Sequence, residues 1–161
     1  MNLVRRLGVP LAAAMLAALI ATALAPAWPT VRANGAGGQH DLKPLVSTHE
    51  FMEHVIEGTF ATLKKGLSEK PADEQVWRSV RDTSLLLGEC GNLLLIRTPD
   101  DADASDWSKL CIALRESGDI VSKAAKGKDY DASRSAYLEL VHACNACHTK
   151  YGDDGEPKIV P

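Results

Sequence analysis

Nowhere does the sequence sustain an alternation of apolar and polar residues, and β-branched residues are sparse. Both absences argue against strands, which want a period of two and branched side chains on a pleated surface. Clustered base is missing as well. Residues 1–33 hold Arg5, Arg6 and Arg32 and no acid; taking those three from the 18 Lys+Arg leaves 15 bases against 21 acids, a formal net charge of −6. An acidic body of that kind is a poor partner for nucleic acid, whose phosphates call for grouped Lys and Arg. A length of 161 residues predicts one globular domain and excludes a multi-domain enzyme. With 45% hydrophobic and 24% charged residues, the chain is neither a disordered segment nor a multi-span membrane protein.

One long apolar run exists, at the N-terminus. Arg5 and Arg6 form a basic region, Leu11 to Leu24 is apolar apart from Thr22, and small residues follow. That pattern predicts an export signal over residues 1–33, cut near Val31-Arg32-Ala33, with Ala23-Leu24-Ala25 as an alternative site. An uncleaved anchor over Leu7 to Ala27 is the rival, disfavoured by Pro10 and Pro26 and by the weak apolarity of Ala. With no Cys near the junction, no lipid anchor is expected, nor any membrane span once the signal is gone. The body is expected on the exported side, in the periplasm, where disulfides can persist. A Gly-rich leader (residues 34–44) precedes the working domain (residues 45–152), and a polar tail (residues 153–161) follows it.

Four stretches carry helical periodicity. Ser47 with Glu50 has capping-box spacing, and Leu45, His49, Met52, Ile56, Phe60, Leu63 and Leu67 recur at steps of three and four until Gly66 loosens the pattern. Pro71 suits the first turn of a second helix, whose inner stripe is Val76, Val80, Thr83, Leu87, Cys90 and Leu94. Asp103, with Asp106 three residues on, caps a third helix bearing Trp107, Leu110, Cys111, Leu114, Gly118, Val121 and Ala125, closed by Gly127. Asp131 is expected to cap the fourth, with Tyr137, Leu140, Val141, Cys144, Cys147, His148 and Tyr151 on one face and Gly152 at its end. Connections of a few residues make successive helices antiparallel neighbours, so the expected fold is all-α, an antiparallel up-down four-helix bundle.

Cys144-Asn145-Ala146-Cys147-His148 carries the chemistry. Cys-x-x-Cys-His is the spacing of a c-type haem attachment site. On a helix, residues three and four apart share a face, so Cys144 and Cys147 can form thioethers to one porphyrin edge while His148 turns under the iron as proximal ligand. The implied cofactor is one covalent haem c. Structural zinc would want a fourth ligand from another helix. A thiol-redox pair usually opens a helix after a strand, whereas this one lies late in a helix of a strandless chain. A disulfide across one helical turn is strained.

On that motif, its position 13 residues from the end and the count of four helices, residues 45–152 resemble the class II cytochromes c, which include cytochrome c prime and its Met-ligated relatives. Class I cytochromes carry the motif near the N-terminus and a Met far downstream; this chain has no Met after Met52. The resemblance implies an exported mono-haem bundle, not an enzyme, that passes single electrons between redox partner proteins. In the Met-ligated members the distal ligand comes from the first helix, which points to Met52; simple core filling is its alternative role. His49, one turn earlier, competes for that position. Should neither bind, the iron is five-coordinate and the protein resembles gas-binding cytochrome c prime, which takes up nitric oxide or carbon monoxide. Class II members are often dimers through their first two helices, which leaves a homodimer open. Many also carry a basic residue after the aromatic that follows the motif; here Gly152 follows Tyr151, and Lys150 is the nearest substitute.

The remaining candidates read more blandly. His54 and His142 are expected in solvent and His40 in the leader, while Trp77, Trp107, Tyr137 and Tyr151 are expected to pack in the core or at a porphyrin edge. Lys64, Lys65, Lys123, Lys126 and Lys128 read as solvated charge. Cys90 and Cys111 sit at equal offsets from the break between helices two and three, each roughly 10 Å from it. Two readings stand for them: a disulfide adding on the order of 3 kcal/mol, or two small buried residues.

Overall fold

Ser47 opens the first helix as expected: its Oγ accepts from the Glu50 amide at 3.2 Å while the Ser47 amide donates to Glu50 Oε2 at 2.9 Å. The computed structural model describes residues 42–152 and 158–161, which belong to one compact unit, Asp41–Pro161. Predictions that fall on the export signal, most of the leader and His40 lie outside the described residues.

The first rod is continuous but not uniform. It runs as α1 (Thr48–Phe51), a π-helical stretch (Met52–Glu57) and α2 (Gly58–Gly66), with right-handed backbone at the Met52 and Gly58 joints. Three long helices follow: α3 (Glu74–Leu94), α4 (Ala104–Lys126) and α5 (Tyr130–Tyr151). Every element among the described residues is helical, and none of the helices is long and apolar enough to cross a membrane. The described residues are all-α, four helical rods compatible with a bundle.

Capping explains the boundaries. Asp73, not Pro71, starts α3, accepting from the Val76 amide at 2.9 Å; Pro71 is buried in the approach, two residues before the cap. Asp103 caps α4 through the Asp106 amide at 2.9 Å, and Gly127 closes it. The cap of α5 is Asp129, whose carboxylate accepts from Ala132, while Asp131 lies in the first turn. The competing acid won because α4 and α5 are joined by a tighter turn than the sequence suggested, with Lys128 in the left-handed region at φ 56°.

The core collects the expected stripes, including Leu63, Leu67, Val80, Leu87, Leu94, Trp107, Val121, Tyr137 and Leu140. Two assignments on the first rod change. Leu45 precedes the helix and is 98% exposed, whereas Phe51, off the predicted stripe, is buried under the Arg97 guanidinium at 4.4 Å. Helices α3 and α4 approach so closely that glycine is required. A Cβ on Gly118 would lie 2.7 Å from Gly88 N and from Ser84 O, and one on Gly91 would lie 2.6 Å from Cys111 O. Farther along the same pair, Trp107 Nε1 donates to Leu94 O at 2.8 Å, closing the end of α3.

The first rod touches α5 at separated points. Tyr130 Oη donates to Leu67 O at 3.3 Å, and Phe60 stacks on Tyr137 with ring centroids 5.9 Å apart. Toward the Ser47 end, Thr48 Oγ1 donates to Arg97 O at 3.0 Å. Between these ties the rod stands away from α4 and α5.

Candidate functional site

That gap is a cavity of about 720 Å³, within the range of small-molecule and cofactor sites. One wall is α5, contributing Cys144, Cys147, His148 and Tyr151. The first rod faces it with His49, Met52, Ile56 and Phe60, and α4 closes the side with Trp107, Leu110, Cys111 and Leu114. All four residues singled out from the sequence, Cys144, Cys147, His148 and Met52, therefore line one cavity. The sequence placed them on two separate stripes; only the packing of the rods brings those stripes to a common space.

The wall is mostly hydrocarbon and aromatic, and this governs the thiols. Burial pushes Cys144 up to about 12, with Cys147 adding to the rise, and burial likewise raises Cys147. Both sulfurs are held as neutral thiols, a poor state for a redox nucleophile. Among the described residues, no group of three or more His, Cys, Asp or Glu is arranged to hold a metal ion.

Met52 and His49 differ in setting. Met52 is half-buried against the core, at the start of the π-helical stretch. His49 is largely exposed and lies 3.4 Å from the Glu53 carboxylate. Local π-helical turns recur at functional sites because they break the ordinary phase of a helix. Nothing in the spacing of Met52, Ile56 and Phe60 announced one, since steps of four suit an α-helix equally. His54 and His142 are exposed, as expected.

Cys90 and Cys111 are open to two readings from the sequence, a disulfide or two small buried residues, and the second fits the structure. Both are buried free thiols. Gly91 rests on the Cys111 backbone, and the Cys111 thiol lines the cavity, where burial first and Cys147 second push it up to about 12. Cys90 does not line the cavity. Equal offsets place the two at one level, and the contact of Gly91, the neighbour of Cys90, with Cys111 O agrees with it; the two differ in facing, since Cys111 lines the cavity and Cys90 does not.

Sequence reasoning also missed the cavity's last side. Lys158, Ile159 and Val160, read as polar tail, line it too. Asn145, between the two cysteines, holds this segment: its Nδ2 donates to Ile159 O, and the Ile159 amide donates to its Oδ1, both at 2.9 Å. Lys64 is not simply solvated, since its Nζ donates to Val160 O at 2.9 Å. Trp107 meets Tyr151 edge to face at 5.4 Å, and Lys150 reaches Asp106 on α4.

Compared with protein-family models, with curated proteins and with solved structures, the chain matches none.

Proposed function

We propose that this protein is an exported mono-haem cytochrome c of the class II kind, a one-electron carrier rather than an enzyme. The observation that carries the reading is the shared cavity: a Cys-x-x-Cys-His face on α5 meets Met52 across an apolar space of cofactor size. The up-down order is part of the proposal. Contacts that pair Leu67 with Tyr130 and Phe60 with Tyr137 run in opposite chain directions. Eight residues farther on each side, roughly 12 Å at 1.5 Å per residue, Met52 comes level with Asn145, between the cysteines.

The residues fit haem c. Cys144 and Cys147, as neutral sulfurs in an apolar wall, would become uncharged thioethers, which burial does not penalise as it penalises a thiolate. His148 would hold the iron from the α5 side. Iron in this setting supplies a one-electron couple whose potential follows from axial ligands and burial. Met52, from the first rod, would fill the opposite position; Ile56, Phe60, Leu110 and Leu114 exclude water, and Trp107 and Tyr151 pack one end. Thioether ligation opposite histidine favours the reduced state and leaves no open position, which suits electron transfer. The export assignment rests on the N-terminal pattern alone.

The test is a spectrum and a mass of the chain expressed with haem-attachment machinery. The expected product is coloured and heavier than the bare polypeptide by one haem, attachment being abolished in Cys144→Ala with Cys147→Ala. A weak long-wavelength charge-transfer band in the ferric form, lost in Met52→Ala, is expected for Met ligation. High-spin haem that binds carbon monoxide rapidly would instead favour a gas-binding protein like cytochrome c prime. A colourless product of polypeptide mass would refute the haem altogether.

A further inference from the structure

A primary amide can imitate a peptide unit, offering one acceptor and two donors. Asn145 uses it that way. It ties both the N–H and the C=O of Ile159, the exchange two residues make in a strand pair. The bonds are part-buried, and the Ile159 side chain packs against the core. One residue farther, Lys64 on α2 bonds the Val160 carbonyl, so the segment spans from α5 to the first rod. Lys158, Ile159 and Val160 together line the cavity beside Cys144 and Cys147.

We propose that Lys158 to Val160 is a strap sealing the cavity between α5 and α2, and that Asn145 is the positioning residue that latches it. This deepens the haem reading and rests on it for the occupant. From its position between two haem-bearing cysteines, Asn145 then holds a cover over the attached porphyrin edge. The strap limits entry of water and small external ligands from that side, a condition an electron carrier shares with a selective gas binder. Lys64 holds the far end, so freeing Asn145 loosens the strap without removing it.

The experiment uses the full haem-loaded chain carrying Met52→Ala, so that loss of a protein ligand from iron does not limit the rate. The carbon monoxide association rate of the ferrous protein is measured for Asn145, Asn145→Asp, Asn145→Ala and a chain lacking residues 158–161, and amide hydrogen exchange at Ile159 for the first three. Ile159 is expected to be protected in the parent. Asn145→Ala should lower that protection and raise the association rate, each about tenfold, which corresponds to ~1.4 kcal/mol. Asn145→Asp should fall between, because a carboxylate still accepts from the Ile159 amide but cannot donate to its carbonyl. The deletion should match or exceed the alanine variant in rate. Free exchange of Ile159 in the parent overturns the latch, and an unchanged association rate once protection is lost overturns the seal. A colourless chain would defeat the haem reading separately. In it, iodoacetamide alkylation of Cys111 relative to Cys90 replaces the gas rate, since of these two Cys111 lines the cavity and Cys90 does not. A rise at Cys111 alone in Asn145→Ala supports the strap, and equal rises at both, the mark of general loosening, overturn it.

Discussion

Gly118→Ala is the sharpest probe of the scaffold behind the site. The added methyl would stand 2.7 Å from Gly88 N, 2.7 Å from Ser84 O and 2.8 Å from Gly88 Cα. All three are backbone atoms, so no side chain can turn aside and α4 must move away from α3. Overpacking of this kind costs about 1–3 kcal/mol, and the better helix propensity of Ala returns at most ~1 kcal/mol. With that full return taken off, the net expectation is a loss of up to about 2 kcal/mol, seen as a lower urea midpoint and a melting temperature down by several degrees. Gly58→Ala is the matched control, because a Cβ there meets nothing within 4 Å and the backbone is right-handed helical. It should stabilise by roughly 0.5–1 kcal/mol. Since α4 carries Cys111, Leu110 and Leu114 into the cavity wall, Gly118→Ala should also shift the absorption bands of the proposed haem, while Gly58→Ala leaves them in place. Equal or greater stability in Gly118→Ala would refute the close α3–α4 approach.

Three further outcomes are expected. Trp107→Phe removes the buried donor to Leu94 O while Arg97 N still bonds that carbonyl at 2.9 Å, so a loss of about 1–2 kcal/mol in urea unfolding is expected, and no loss would show the indole to be incidental. Burial raises Cys90 from 9.0 to about 11; the unfolded chain therefore gives up this proton first, and stability falls as pH rises from about 9 toward 11, by roughly 1–2 kcal/mol at pH 10.5. Comparing the alkaline limbs of wild type and Cys90→Ala checks the sign, because the variant should lose less between pH 8 and 10.5. Replacing Cys144 and Cys147 together by Ala should leave a bundle with a cavity of about 720 Å³ unfilled, so a cooperative, native-like melt of that variant would contradict the view that an occupant completes the core.

The helical periods, the Ser47, Asp103 and Gly127 boundaries and the Cys144–Cys147–His148 face were legible in the sequence because each depends on neighbours within about four positions. Caps and stripes are local physics, and a local pattern can be read directly. Where two local signals competed, as with Pro71 against Asp73 or Asp131 against Asp129, the turn geometry chose between them. The phase change at Met52–Glu57 left no mark, since the same residues fit either helix type.

Tertiary structure alone decided the rest. Met52 and the motif are more than ninety residues apart in the chain, and their meeting depends on how the first rod leans on α5. Equal offsets from a turn set Cys111 level with Gly91, but only the packing put Cys111 on the cavity wall and left Cys90 off it. The bond between Asn145 and Ile159 could not be anticipated either, because an amide will pair with any backbone that reaches it. Sequence by itself determined which faces exist and what chemistry they carry. Packing decided which faces share a space, because helix contacts are set by shape across distances that no short-range pattern encodes.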